Sequence, residues 1–161
     1  MSQNYITSYN IKNFKKFNKE LIGLIYNDDL GKPFENIYKT DYFSKAKGEW
    51  FELFKEQVLK EFSKWFLEYY KATQFQCDHS WYQIYKKNNF HQLHTHAKTN
   101  FTNVFYLQLP GPDSTTSIEN QKFTSGEGHL ITFPGFYKHE SKKNIYEKDK
   151  IIISFNSSVE I

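Results

Sequence analysis

Three of the six histidines fall within six residues, in His91-Gln-Leu-His94-Thr-His96, shortly before the apolar run Phe101–Leu107. Neutral imidazole is a common ligand for iron, zinc and copper. On an extended backbone, residues two apart face the same way and lie roughly 6.5 Å apart along the strand. His94 and His96 are therefore spaced to close on one metal ion at ligand distances of about 2.1 Å. His139 follows Phe133-Pro134-Gly135-Phe136-Tyr137-Lys138 and would complete the site from a different strand. An isolated histidine is ordinarily a surface or hydrogen-bonded residue. A His-x-His pair at a strand edge with a distant partner points to a metal site.

Positioning these groups falls to two helices and a set of short strands. Phe14, Phe17, Leu21, Leu24 and Ile25 recur at helical spacing, which predicts a helix from Ile11 to about Tyr26, ended by Asn27–Pro33. Phe51, Phe54, Val58, Phe62, Trp65, Phe66 and Tyr69 predict a second helix over about Ser44–Tyr70, its wet side carrying Glu56 with Lys60 and Glu61 with Lys64. After Gln74 the pattern changes to β-formers. Strands are expected over Ser80–Lys86, Phe101–Leu109, Thr115–Glu119, Gly128–Pro134, Tyr137–Lys142 and Lys150–Asn156. Residues 1–10 carry no pattern, and the segments 32–48 and 110–127 read as loops bordering an entrance.

This order predicts an α+β fold, a sandwich or small barrel with N-terminal helices packed outside. In the last strand Lys150, Ile152, Ser154 and Asn156 share one face, and Ile151, Ile153 and Phe155 the other. In the strand after the histidines, Thr102, Val104 and Tyr106 oppose Asn103, Phe105 and Leu107. A polar barrel interior with helices outside gives that pattern. The 161 residues suffice for one domain, with a helical part over about 11–71 and a β core over about 78–157.

Composition narrows the function. The net charge is +3, with 18 acids interleaved among 21 basic residues, all of them lysine, which speaks against nucleic acid as a partner. Without arginine, any carboxylate anchor must be lysine, hydroxyl or backbone N–H. Cys77 is the single cysteine, so no intrachain disulfide forms, and Cys77-Asp78-His79 does not make a working dyad merely by adjacency. No apolar run approaches membrane-spanning length and the start lacks a signal-peptide pattern, so a soluble, cytoplasmic protein with no membrane partner is expected.

His94-Thr-His96, Val104-Phe-Tyr106-Leu, Gly128-x-Leu-Ile-x-Phe-Pro134, His139 and Lys150-Ile-Ile-Ile-Ser-Phe-Asn156, in this order, resemble the iron(II)/2-oxoglutarate-dependent oxygenases. The nearest likeness is to the small phage and marine-microbe group related to prolyl-hydroxylase-like enzymes, which would place the chain in a phage-infected bacterial host. The resemblance implies a double-stranded β-helix (a jelly-roll, cupin-like barrel) holding Fe(II), with 2-oxoglutarate and O2 as co-substrates. By position, His94 matches the first iron ligand and His139 the distal histidine. His96 stands where most of the superfamily has Asp or Glu; it is either a third imidazole ligand or a non-ligand whose place water or substrate takes. Lys150, eleven residues after His139, occupies the basic position that binds the far carboxylate of 2-oxoglutarate. Ile152 replaces the usual serine, so Tyr106, Tyr85 or Ser154 must supply a hydroxyl. His91 and Asn156 fall in supporting or substrate-facing places.

The implied reaction is hydroxylation of a primary substrate with release of succinate and CO2. A prolyl residue in a peptide comes first by resemblance; other protein side chains, free amino acids and nucleobases stay open. Two alternatives remain at this stage: an all-histidine cupin-like metalloenzyme, and a catalytically silent β-helix that only binds.

Overall fold

A computed structural model of the chain describes residues 5–96, 98–123 and 125–161. In chain order the elements are β1 (Thr7–Asn10), α1 (Phe14–Asn27), β2 (Lys32–Phe34), β3 (Ile37–Thr40), α2 (Glu49–Phe54), a π-helical turn (Lys55–Leu59), α3 (Lys60–Tyr70), β4 (Gln74–Tyr85) and β5 (His91–His94). There follow β6 (Phe101–Gln108), β7 (Ser117–Ile118), β8 (Gln121–Lys122), β9 (His129–Pro134), β10 (His139–Ser141) and β11 (Lys150–Glu160). They form a seven-stranded sheet, β1-β9-β6-β11-β4-β3-β2, and a four-stranded sheet, β5-β10-β7-β8. Every pairing recorded in the two sheets is antiparallel. Among the described residues no helix is long and apolar enough to cross a membrane.

The alternation read in β11 and β6 divides the apolar residues into two layers. Ile151, Ile153, Phe155, Phe105 and Leu107 turn outward and pack with Phe17, Leu21, Ile25 and the helical Trp50, Phe54, Val58, Phe62 and Phe66. Ile152, Val104 and Tyr106 turn inward and meet Tyr85, Ile118, Ile131 and Phe133 between the two sheets. The helices thus cover one face of the large sheet and leave its other face to the site.

The second helix begins at Glu49, not near Ser44, because the chain through Ser44–Gly48 is tied into a turn. Ser44 N–H donates to the Asp41 carbonyl at 3.0 Å, and the Trp50 indole N–H reaches the Asp41 carboxylate at 3.2 Å. Its buried residues Trp50, Phe54, Val58, Phe62 and Phe66 are each four apart. Four residues overshoot an α-helical turn by about 40°, so an unbroken α-helix would carry this row off the sheet. The wider turn at Lys55–Leu59 takes up part of the drift.

Three strands of the large sheet lie where loops or no pattern were expected. β1 is a four-residue edge strand whose exposure alternates, too short to register as periodic. β2 contains Pro33 and forms the opposite edge of the sheet, where a missing N–H is tolerated. β3 pairs β4 through Lys39↔Ile84 and Thr40↔Gln83, and so brings 34–43 to the mouth of the site.

Candidate metal centre

β5 and β10 are neighbours, and His139 sits directly opposite His94 in their register. β5 ends at His94, so His96 lies just beyond it instead of on the same strand as expected. What holds His96 in place is Gly135: its carbonyl accepts the His96 N–H at 2.9 Å. A Cβ on Gly135 would come within 2.7 Å of Thr99 and 3.0 Å of the His96 carbonyl, so only glycine permits this approach.

One nitrogen from each of His94, His96 and His139 falls within 4.8 Å of the others. Two ligands on one ion at about 2.1 Å are at most about 4.2 Å apart, so small side-chain rotations close the set. Each Nδ1 meets an oxygen that can only accept: the Gln92 carbonyl at 2.7 Å from His94, the Asn156 amide oxygen at 2.7 Å from His96, and the Tyr137 carbonyl at 3.1 Å from His139. The proton of each ring is thereby held on Nδ1, and all three Nε2 lone pairs are free. Burial lowers every imidazole in the cluster, His139 to about 3 and His96 to about 4, with neighbouring His94 adding to both. His94 is lowered by burial against the opposing effects of its Gln92 contact and Glu35. Neutral donors are what metal ligation requires.

His91 is outside the triad. It stacks on His94 with ring centroids 4.0 Å apart, its Nδ1 is 3.4 Å from the Gln83 amide nitrogen, and burial lowers it to about 4.

Behind the triad is a small cavity of about 20 Å³, lined by Trp81, Gln83, Tyr85, Val104, Thr116, Glu140, Ser141, Ile152, Ser154 and the histidines. Lys150 is wholly buried next to it, and its ammonium donates to Ser141 Oγ at 2.8 Å. Burial alone brings this lysine down to about 7, and no carboxylate among the described residues pairs with it. Tyr85 presents a buried hydroxyl beside Ser141, and burial raises its pKa against the opposing effect of that serine. Tyr106 is otherwise engaged: its hydroxyl accepts the Thr116 N–H at 2.8 Å, and it does not line the cavity.

In front of the triad a groove of about 390 Å³ opens outward between β3, β4 and β5. Asn156 lies at its floor and the segment 34–43 forms one wall, whereas 110–127 contributes nothing to it and only Thr116 to the inner cavity. Trp81, Gln83 and Ser141 were missed as site residues. Strand alternation would have found them: Trp81 and Gln83 share the face of Tyr85, and Ser141 that of His139.

No protein-family model matches the sequence, and no curated protein resembles it in sequence. Solved structures do match in fold, and those matched include 2-oxoglutarate-Fe(II) oxygenases and prolyl hydroxylases. A Burkholderia pseudomallei oxidoreductase of that family superposes with a TM-score of 0.73 at 9% identity, over 97% of this chain and 85% of its own. The viral collagen prolyl hydroxylase of Paramecium bursaria Chlorella virus-1, solved with 2-oxoglutarate, gives 0.70 at 14% identity over 99% and 97%. The Trichoplax adhaerens prolyl hydroxylase, solved with a hypoxia-inducible-factor peptide, gives 0.68 at 13% over 96% and 84%. The likeness extends along nearly the whole chain and is one of fold.

Proposed function

We propose that the chain is an Fe(II)- and 2-oxoglutarate-dependent oxygenase, one catalytic unit over residues 1–161 built on a double-stranded β-helix. The observation that carries this reading is the placement of three imidazoles able to close on one ion beside a small cavity whose Ser141 is bonded by a buried lysine with no acidic partner. A buried ammonium without a counter-ion is costly unless a ligand supplies the anion. A dicarboxylate that also chelates a metal answers both ends. At about 20 Å³ the cavity holds roughly one water, so the co-substrate enters by parting its lining.

The donor set fits a divalent iron ion, which in this setting couples the oxidation of 2-oxoglutarate by O2, giving succinate and CO2, to oxygenation of a substrate C–H bond. His94, His96 and His139 hold the ion. Gln92, Asn156 and Tyr137 keep the imidazoles oriented, and Gly135 seats the His96 backbone. Lys150 and the Tyr85 hydroxyl bind the far carboxylate of 2-oxoglutarate, with Ser154 and Ser141 beside them. Ile118, Ile131, Ile152 and Phe133 keep the space between the sheets dry. The primary substrate reaches the metal through the outer groove, past His91 and Asn156.

His96 in place of a carboxylate leaves the centre one unit more positive than an Asp or Glu ligand would. That all-imidazole set is what an all-histidine cupin-like metalloenzyme would share, and Lys150 favours the oxygenase. Incubating iron-loaded protein with 2-oxoglutarate and O2 and measuring succinate tests the choice. Iron-dependent succinate above the no-enzyme control is expected; none, across broad peptide and amino-acid panels, overturns it.

A further inference from the structure

We propose that the outer groove selects a substrate bearing a cationic alkylammonium group, held by an aromatic box and the Glu35 carboxylate. This rests on the oxygenase reading above and names the substrate class for that site.

The box is built by three consecutive edge-to-face contacts. Phe34 meets Phe43 at 4.8 Å and 67°, Phe43 meets Tyr42 at 4.9 Å and 86°, and Tyr42 meets Trp81 at 4.9 Å and 87°. All four rings line the same groove. Phe43 is 66% exposed and Tyr42 42%, large apolar rings left uncovered beside the histidines. π-faces attract cations, and more strongly where water is excluded.

Glu35 decides the sign. It is the single formally charged residue in the groove's lining. In a chain with 21 lysines it forms no ion pair among the described residues. It stands at the tip of the β2–β3 hairpin with φ 48°, near enough to His94 for its charge to act on that imidazole. A neutral ligand filling the groove would satisfy the rings but strip water from Glu35 without replacement. A cationic ligand satisfies both, and leaves its alkyl chain directed toward the metal.

The test uses full-length protein loaded with Zn(II), without O2 or 2-oxoglutarate, in calorimetric titrations. The probes are a blocked pentapeptide bearing Nε-trimethyllysine, its neutral isostere with carbon in place of the quaternary nitrogen, a prolyl pentapeptide, and free Nε-trimethyllysine. The cationic peptide should bind about tenfold tighter than its isostere. Glu35→Gln and Phe43→Leu should each remove most of that preference, and Glu35→Gln should leave the isostere's affinity unchanged. Binding confined to the peptide assigns a polypeptide side chain, and equal binding of free trimethyllysine assigns a small amine; both support the proposal. Equal affinity for the isostere, tighter binding of the prolyl peptide, no effect of Glu35→Gln, or no binding by any probe overturns it. Because no turnover is involved, failure here leaves succinate formation untouched. Absent succinate with cation selection intact would instead refute the oxygenase reading alone.

Discussion

Replacing Lys150 with methionine should make the ligand-free protein more stable and its 2-oxoglutarate binding much weaker. The side chain is wholly buried, and burial lowers its pKa from 10.5 to about 7. Holding a lysine in such a place at neutral pH costs about 5 kcal/mol, since each pKa unit is about 1.4 kcal/mol. Methionine has similar length and no charge, but it strands Ser141 Oγ, the acceptor of the 2.8 Å bond, at about 1–3 kcal/mol. The net gain is about 2–4 kcal/mol, or about 4–16 °C in Tm for a chain of this size. The sign with pH follows from a depressed base. Below pH 7 both folded and unfolded states are protonated and the penalty is full; it is lost as pH rises from about 7 to 10.5. The stability difference between Lys150→Met and the native chain should therefore shrink over that window in urea titrations. Affinity for 2-oxoglutarate should fall about ten- to a hundredfold, the worth of a charge-assisted hydrogen bond in a dry pocket. Lys148→Ala, exposed and paired with Glu127 at 3.6 Å, is the control and should do little to either. A destabilised Lys150→Met protein that binds 2-oxoglutarate normally would refute the reasoning.

His94→Ala and His139→Ala should each lower Fe(II) or Mn(II) affinity by about tenfold or more in anaerobic calorimetry, and unchanged affinity in both would remove the site. Asn156→Leu frees the Nδ1 of His96, so metal affinity should drop by about tenfold while the fold is kept; a variant binding metal like the native chain would show that this contact does not orient the ring. Because His139 and His96 are lowered to about 3 and 4, they stay neutral in the native state while the unfolded chain takes up protons below 6.5. Stability of the metal-free protein should thus fall as pH drops from 6.5, by about 2 kcal/mol for each of these histidines at pH 5, and His139→Gln should flatten the slope.

The layering was readable because it depends on local alternation. Ile151, Ile153 and Phe155 against Lys150, Ile152 and Ser154 divide between helix-facing and interior layers by a period of two, whatever the rest of the chain does. The cluster of His94, His96 and His139 was readable for a related reason, a spacing of two plus a distant partner, although the strand ends at His94 and His96 owes its place to Gly135. That backbone contact joins residues far apart in the chain and leaves no periodic trace. The groove was equally hidden. Phe34, Tyr42 and Phe43 acquire a role only when β3 pairs β4, a long-range contact made by two residue pairs. Tyr106 resembled a ligand anchor by position, and only its partner Thr116 shows that its hydroxyl is already used.

The central claim is that His94, His96 and His139 hold the metal while Lys150 holds the far carboxylate of the co-substrate. An anaerobic crystal structure with Fe(II) and 2-oxoglutarate tests both at once. The account predicts one metal ion on the three Nε2 atoms, chelated by the keto-acid end, with the other carboxylate on the Lys150 ammonium and the cavity lining parted around it. Metal bound elsewhere, or 2-oxoglutarate lying in the outer groove with Lys150 still bonded only to Ser141, would contradict it.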